Sequence, residues 1–258
     1  MKQLELRYYT RTELADVLGI DEKNSHFARK AKDTLEKWGY EYGKYSCKGL
    51  TITKQPTTPE DRLNEIFNRY YDIDIRTEIK GMACFLYMLA YDEAFQSMPW
   101  AVRAEELRNE FGVSVDERTL RNWNSKLMKR DMVAKFNSDR TAWISYKVDG
   151  TTYREMITGD EALEEQARKY FKKRNEYRKE YRQREMFENN REDYEKINSE
   201  SWSYAMKSLW DEFHCCYYYC PSFYLNAIGE HALEIFEIVD TIGSRATPYA
   251  MPTFAVAA

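Results

Sequence analysis

The sequence predicts a mainly α-helical α+β protein, with two units of helix, turn, helix and β-hairpin, a long charged helix and a C-terminal helical region. Two observations support this prediction: one pattern occurs twice, and residues 160–213 contain neither glycine nor proline. We expect three segments. The first unit lies at 1–57, a helical bridge and the second unit at 58–150, and the long helix with an association region at 151–258.

The repeated pattern covers Tyr9–Lys54 and Val102–Lys147. Its first part matches at an offset of 93 residues, and its second part at 92, after the loss of one residue in the turn. The matched pairs include Gly19 with Gly112, Leu35 with Leu127 and Tyr40 with Met132. Because the offset holds on both sides of a single deletion, we interpret the pattern as an internal duplication.

Each unit has the local signals of a short helix, a glycine turn and a longer helix. A Thr or Ser followed three residues later by Glu predicts two capping boxes, Thr10 with Glu13 and Ser114 with Glu117. Gly19 and Gly112 stand where a helix ends in a left-handed residue, which glycine adopts without steric cost. The second helices are expected at about Ser25–Lys37 and Val115–Arg130.

An alternating segment with a polar break follows the second helix in each unit, at Tyr40–Thr53 and Val133–Lys147, and predicts a hairpin. In this order the elements resemble the winged helix-turn-helix family. The resemblance implies that the second helix of each unit contacts the DNA major groove and that the hairpin forms a wing.

Between the units the sequence predicts helices at Pro59–Tyr71 and Ile75–Phe95, then a short strand at Met98–Val102. The helix at Ile75–Phe95 is expected to be the first helix of the second unit. Only a short strand, at Leu4–Tyr9, precedes the first copy, so that copy is predicted to be abbreviated.

The candidate DNA contacts are the polar side chains of the second helices and of the wings. In the second unit they are Arg118, Arg121, Asn122, Asn124 and Lys126, with Arg140 at the wing tip. Arg and Asn suit bidentate contacts with guanine and adenine edges. In the first unit they are His26, Arg29, Lys30 and Lys32, with Lys44 and Lys48 flanking the wing. Cations with few amides favour phosphate contacts over base recognition.

The chain is acidic overall, with a net charge of −4, but its charge is uneven. Residues 1–57 have 11 Lys/Arg against 8 Asp/Glu, and residues 98–150 have 10 against 8. Residues 58–97 have 4 against 8, so the positive charge is concentrated in the two units expected to bind DNA.

One long helix, or two end to end, is expected from about Asp160 to Phe213. It has nine cations between residues 168 and 184, including Lys169, Lys172, Lys173, Arg174 and Arg178. One interpretation places these cations along a phosphate backbone, with Tyr170, Tyr177 and Tyr181 stacked on unpaired bases. The favoured alternative is a packing or dimerisation helix with buried tyrosines and cations paired with the flanking acidic blocks. A further helix is predicted at Ser222–Ile242, and the apolar tail 246–258 is expected to dock on the body or on a second subunit.

No catalytic, cofactor or metal motif is recognised. Neither a phosphate-binding loop nor a nucleophile elbow occurs, and the three histidines have no evident catalytic partner. The cluster from His214 to Cys220 lacks the usual zinc spacing and favours buried thiols in an aromatic cluster. We therefore expect no enzymatic activity, no cofactor and no metal. Without a secretory signal or an apolar run of membrane length, a cytoplasmic location is expected.

These observations predict a non-catalytic protein that binds double-stranded DNA, either a transcriptional regulator or a replication initiator. The tandem layout is similar to that of plasmid and phage replication initiators. The alternative is a protein-interaction module, such as a mobile-element inhibitor of a host defence protein. In both cases residues 160–258 are expected to mediate homodimerisation or contact with a partner protein.

Overall fold

The computed structural model describes residues 4–73, 78–226 and 230–242, and it has the predicted mainly helical α+β fold. The chain divides into two compact units. Unit 1 draws on residues 1–96, 100–135 and 223–258, and unit 2 on residues 97–99 and 136–222. The three segments expected from the sequence stay a prediction about domain organisation.

Unit 1 begins with two helices and a small sheet beside them. The elements are β1 (Tyr8–Thr10), α1 (Arg11–Leu18), α2 (Phe27–Lys37), β2 (Glu41–Tyr42) and β3 (Gly49–Lys54). The strands are antiparallel in the order β1-β3-β2. The predicted capping box is confirmed, because Thr10 Oγ1 accepts the Glu13 N–H at 3.2 Å and Glu13 Oε2 accepts the Thr10 N–H at 2.7 Å. Leu14, Phe27, Leu35 and Trp38 form the centre of the core beneath these elements.

Five helices follow in unit 1: α3 (Pro59–Tyr71), α4 (Ile79–Tyr91), α5 (Glu93–Gln96), α6 (Trp100–Phe111) and α7 (Glu117–Lys129). The helix predicted at Pro59–Tyr71 is confirmed. The helix predicted at Ile75–Phe95 begins at Ile79 and is interrupted at Asp92, while residues 74–77 lie outside the described ranges.

Two local predictions near α6 and α7 are wrong. The strand predicted at Met98–Val102 is absent, since Trp100 already begins α6. Arg103 links the beginning of α6 to α5, because its guanidinium donates to the carbonyls of Phe95 at 2.8 Å and Gln96 at 2.6 Å. The cap of α7 is Asp116 and not Ser114, with the Asp116 carboxylate accepting the N–H of Thr119 at 2.7 Å.

The second hairpin also differs from the prediction. It consists of β4 (Val133–Val148) and β5 (Thr151–Met156), which are antiparallel and joined by Asp149 and Gly150 at φ 49° and 82°. A two-residue Asp-Gly loop with both φ values positive is a type I′ turn, which matches the twist of the flanking strands. The predicted break near Arg140 is therefore wrong, because β4 continues through that position.

Unit 2 is a helical hairpin packed on a sheet of strand order β5-β4-β6. Its further elements are α8 (Glu161–Gln183), a π-helical turn (Arg184–Glu188), α9 (Tyr194–Phe213) and β6 (Cys215–Leu225). The prediction of one long helix, or of two end to end, is wrong because the chain reverses after the π-helical turn. Arg191 stabilises the reversal with ion pairs to Glu185 at 2.8 Å and Glu200 at 2.7 Å.

The C-terminal part differs from its prediction as well. The helix expected from Ser222 is α10 (Glu230–Ile242), because residues 222–225 end strand β6. Residues 227–229 and the apolar tail 246–258 lie outside the described ranges. Ile235, Phe236 and Val239 of α10 are buried in unit 1. Within the described ranges no helix is both long and apolar enough to cross a bilayer.

Candidate nucleic-acid interface

The two segments α1–α2 and α6–α7 are pairs of helices that have the same type of glycine turn after the first helix. Gly19 and Gly112 adopt left-handed φ angles of 64° and 65°. In both, the glycine N–H donates to the carbonyl four residues earlier, to Ala15 in the first segment and to Arg108 in the second. Because the two turns have the same backbone geometry, the chain leaves the first helix in the same way in both segments.

The ends of α2 and α7 match too. Gly39 and Asp131 are left-handed, and each donates its N–H over 3.1 Å to the carbonyl three residues earlier. One residue later, Tyr40 N–H reaches the Leu35 carbonyl at 2.9 Å and Met132 N–H reaches the Leu127 carbonyl at 3.0 Å. The backbone geometry thus repeats at the offset of 92 found in the sequence.

The outward face of α7 presents four of the predicted contacts, namely Arg118, Arg121, Asn122 and Lys126, all of them exposed. Arg121 lies 3.2 Å from the Glu117 carboxylate, and its guanidinium carbon is 5.6 Å from the Trp100 ring centroid. Such an exposed ion pair contributes at most about 1 kcal/mol, so an anionic ligand can displace Glu117.

Asn124 was also predicted to contact DNA, and its position contradicts that prediction. It is only 4% exposed, and its Nδ2 group donates to Met128 Sδ at 3.3 Å. Within the described part of the chain its Oδ1 atom has no hydrogen-bond partner. Asn124 follows Trp123 on the inward face of α7 and is enclosed with it, so we remove it from the candidate contacts.

Arg140 is not at a wing tip. It is exposed within β4, and its Nε–H donates to the carbonyl of Asn137. The tip of the β4–β5 hairpin is formed by Asp149 and Gly150, beside the exposed Lys147. The Asp-Gly pair is a strong hairpin signal that could have located this turn from the sequence.

The first unit presents most of its predicted cations to solvent. His26, which precedes α2, is exposed, as are Arg29 and Lys30 of α2, whereas Lys32 is half-buried with its ammonium 5.9 Å from the Tyr45 ring centroid. Lys44 and Lys48 lie in the loop between β2 and β3, as expected for a wing, and are exposed.

Several of these cations have no carboxylate partner in the described part of the chain. They are Arg29, Lys30, Lys44 and Lys48. Positive charge that the protein does not neutralise itself is available to a polyanion.

Two exposed residues of α7 were not among the contacts predicted from the sequence. Ser125 and Lys129, three and seven residues after Asn122, lie on the same side of α7. With Asn122 they line a depression of about 360 Å³, whose wall also includes Glu78 before α4. Their helical spacing from Asn122 was the signal that could have identified them.

In unit 2 the tyrosines of α8 contact neighbouring side chains, but only one of the three is buried, so the favoured interpretation of that helix is met only in part. Tyr170 is buried, Tyr177 donates to Glu212 at 2.6 Å, and Tyr181 donates to Glu200 at 3.0 Å. The hydrogen bond to Glu212 and partial burial raise the pKa of Tyr177 to about 12. Among the described residues the hydroxyls of Tyr177 and Tyr181 are thus engaged by carboxylates of α9, while their rings are half-exposed.

The predicted cations of α8 divide between paired and unpaired side chains. Lys169 lies 3.7 Å from Glu165 and Lys173 lies 3.9 Å from Glu212, whereas Lys172 is exposed without an ion pair among the described residues. Arg174 and Arg178 lie against the Trp202 ring.

The cysteine cluster forms part of the core of unit 2. Cys215 and Cys220 are buried, and Tyr170 donates its hydroxyl to Cys216 Sγ at 3.3 Å. Burial raises the pKa of the Cys215 thiol and makes it less reactive. Among the described residues, no group of three or more His, Cys, Asp or Glu side chains is placed to hold a metal ion.

Comparison of the chain with protein-family models, curated proteins and solved structures found no match.

Proposed function

We propose that this chain is a non-catalytic protein that binds double-stranded DNA through two winged helix-turn-helix units. One unit is built on α1 and α2, with the loop between β2 and β3 as its wing, and the other is built on α6 and α7. The observations that support this most are the equal backbone turns and the exposed cations Arg29, Lys30, Lys44 and Lys48, which have no ion pair among the described residues.

The two helices are suited to different contacts. The α7 face combines the guanidinium groups of Arg118 and Arg121 with the amide of Asn122, which are the groups that distinguish bases in the major groove. The α2 face and its wing supply Arg29, Lys30 and Lys44, which suit phosphates. We therefore assign base recognition to α7 and backbone anchoring to α2 with its wing.

The biological role that fits two such units is transcriptional regulation or the initiation of replication of a phage or plasmid. Two DNA-binding units in one chain, one reading bases and one anchoring the backbone, suit a site that extends along the duplex. The overall charge of −4 does not prevent DNA binding, because affinity depends on the local cations that replace counterions at the phosphates.

The test is selection of the purified full chain against a random duplex library. We expect an enriched motif, because α7 presents the side chains that distinguish bases. Arg121→Ala should relax the base choice at its position, whereas Lys44→Ala should weaken binding to all sequences alike. Lys179→Ala is the matched control, since Lys179 is an exposed cation of α8 outside both helix-turn-helix segments. Equal, sequence-independent losses from Arg121→Ala and Lys44→Ala would contradict this division.

A second candidate is a protein-interaction module, such as an inhibitor of a host defence protein carried by a mobile element. It is favoured by the exposure of Tyr8, Tyr153, Tyr194 and Tyr219, because exposed tyrosines are enriched in protein interfaces. The two candidates differ in salt dependence. Binding to duplex DNA should weaken steeply as salt rises, whereas binding to a protein through aromatic contacts should change little.

A further inference from the structure

Unit 2 has a row of arginines that no carboxylate neutralises. Arg174, Arg178 and Arg182 are spaced by four residues along α8, which places them about 6 Å apart along the helix axis. None of the three has an ion pair within the described ranges. Arg178 donates to Asn198 at 3.0 Å, and Arg182 donates to the Arg178 carbonyl at 3.2 Å. The pKa of Arg178 is lowered by burial first and then by repulsion from Arg182 and Arg174.

The neighbouring cations of the same helical hairpin behave differently. Arg168 pairs with Glu165 at 3.0 Å, and Arg191 pairs with Glu185 and Glu200. Carboxylates therefore neutralise other cations of this hairpin and leave the central row uncompensated. In Arg174 the Nε–H is enclosed and has no acceptor among the described residues, a cost that the fold does not offset internally.

Exposed aromatic rings border this row. The guanidinium carbon of Arg178 lies 3.6 Å from the Trp202 ring centroid, and that of Arg174 lies 5.3 Å from it. Trp202 is nevertheless 41% exposed. Phe171 stacks on Tyr219 with centroids 4.7 Å apart, and Tyr219 is 47% exposed. Cationic groups thus lie directly beside large aromatic surfaces that face solvent.

We propose that this arginine–tryptophan surface, formed by Arg174, Arg178, Arg182, Trp202 and Tyr219, binds single-stranded nucleic acid. The arginines contact successive phosphates, and unpaired bases stack on the exposed rings of Trp202 and Tyr219. In an extended single strand the distance between successive phosphates is similar to the spacing of the arginines along α8. Every base also has a face that can stack. Binding is therefore tolerant of sequence. This surface belongs to unit 2, so the inference does not rest on duplex recognition by α2 and α7.

The observations favour a nucleic acid over an acidic peptide. An acidic peptide would satisfy the guanidinium groups of Arg174 and Arg178 but would not use the exposed rings beside them. A strand of phosphates and bases uses both, since stacking and phosphate contact are coupled along the chain. The acidic peptide is retained as an outcome of the test.

The experiment measures fluorescence anisotropy of a labelled oligothymidylate of about 15 nucleotides, a length within the site sizes of single-strand binders. The full chain is titrated at several salt concentrations. Trp202→Ala should weaken binding roughly tenfold, as expected for the loss of one stacked base. The double variant Arg174→Ala with Arg178→Ala should reduce the slope of log K against log salt by about 1.4, the loss of two phosphate contacts on a single strand.

Two controls separate this surface from the rest of the molecule. Arg168→Ala removes a paired, exposed cation from the same helix and should leave affinity nearly unchanged. Arg118→Ala changes α7 and should affect duplex binding alone. Circular dichroism of every variant verifies the fold, and Arg178→Lys should restore the salt slope that Arg178→Ala removes.

Three results would overturn the proposal. The first is the absence of oligothymidylate binding at low salt, and the second is unchanged affinity in Trp202→Ala together with the double arginine variant. The third is competition by polyglutamate that matches unlabelled oligothymidylate of equal charge, which would identify an acidic protein as the partner.

Discussion

Gly39 and Asp131 occupy the same left-handed turn at the ends of α2 and α7, although only one of them is glycine. A Cβ on Gly39 would lie 2.5 Å from Cγ of Asp61, so the first turn excludes any side chain. The exposed Asp131 has room for its side chain but retains a left-handed φ of 54°. The two turns therefore have the same backbone conformation but tolerate different side chains.

This difference predicts opposite effects of exchanging side chains in the two turns. Gly39→Ala should destabilise the protein by about 2 kcal/mol or more, because left-handed strain adds to the clash with Asp61. Asp131→Gly should be neutral or stabilising by up to about 1 kcal/mol, because it removes the strain of a left-handed L-residue. Urea unfolding of the two variants measures both changes. Equal destabilisation by the two variants would contradict this difference between the turns.

The capping box of α1 should make stability depend on acidic pH. Hydrogen bonds from the Thr10 backbone and hydroxyl, then from Arg7, lower the pKa of Glu13 to about 2. Since the folded pKa lies below the ordinary value of 4.5, the contribution of Glu13 is fully present above about pH 4.5. It is lost as the pH falls through about 2. Glu13→Gln should lower the Tm at pH 7 and have little effect near pH 2. A Tm difference independent of pH would contradict this assignment.

Among the charged residues of unit 1, we expect substitution of Glu65 to destabilise the protein most. Its carboxylate is fully buried, pairs with Arg62, lies 3.1 Å from Arg69 and accepts the Tyr40 hydroxyl at 2.9 Å. Glu65→Gln leaves Arg69 without a counter-charge and Arg62 with Glu234 alone, and should cost about 3 kcal/mol in chemical unfolding. Glu60→Gln, at an exposed position of the same helix, should change stability by only a few tenths of a kcal/mol and serves as the control.

Replacing Asn124 tests whether this buried residue contacts DNA. Asn124→Leu fills the same space without an unsatisfied Oδ1 and should stabilise the protein by about 1 kcal/mol. Duplex affinity and base preference should stay as in the parent, while Asn122→Ala should change the preference. A changed base preference in Asn124→Leu would show instead that Asn124 contacts DNA. Thermal unfolding and duplex titration give the two results.

The sequence by itself determined the features that depend on neighbouring residues. Periodic apolar residues located α2, α3 and α7, and glycines located the turns after α1 and α6. Thr10 and Glu13 determined the first cap. These features follow from backbone conformation and short-range hydrogen bonds, which a few adjacent side chains control.

Only the tertiary structure decided the features that depend on distant partners. The reversal between α8 and α9 requires Arg191 to meet Glu185 and Glu200, and the burial of Asn124 depends on how α7 packs. The Trp202 ring meets Arg174 and Arg178 only because two helices lie antiparallel. A polar pattern cannot show which side of a helix another element will cover, since burial depends on three-dimensional packing across the chain.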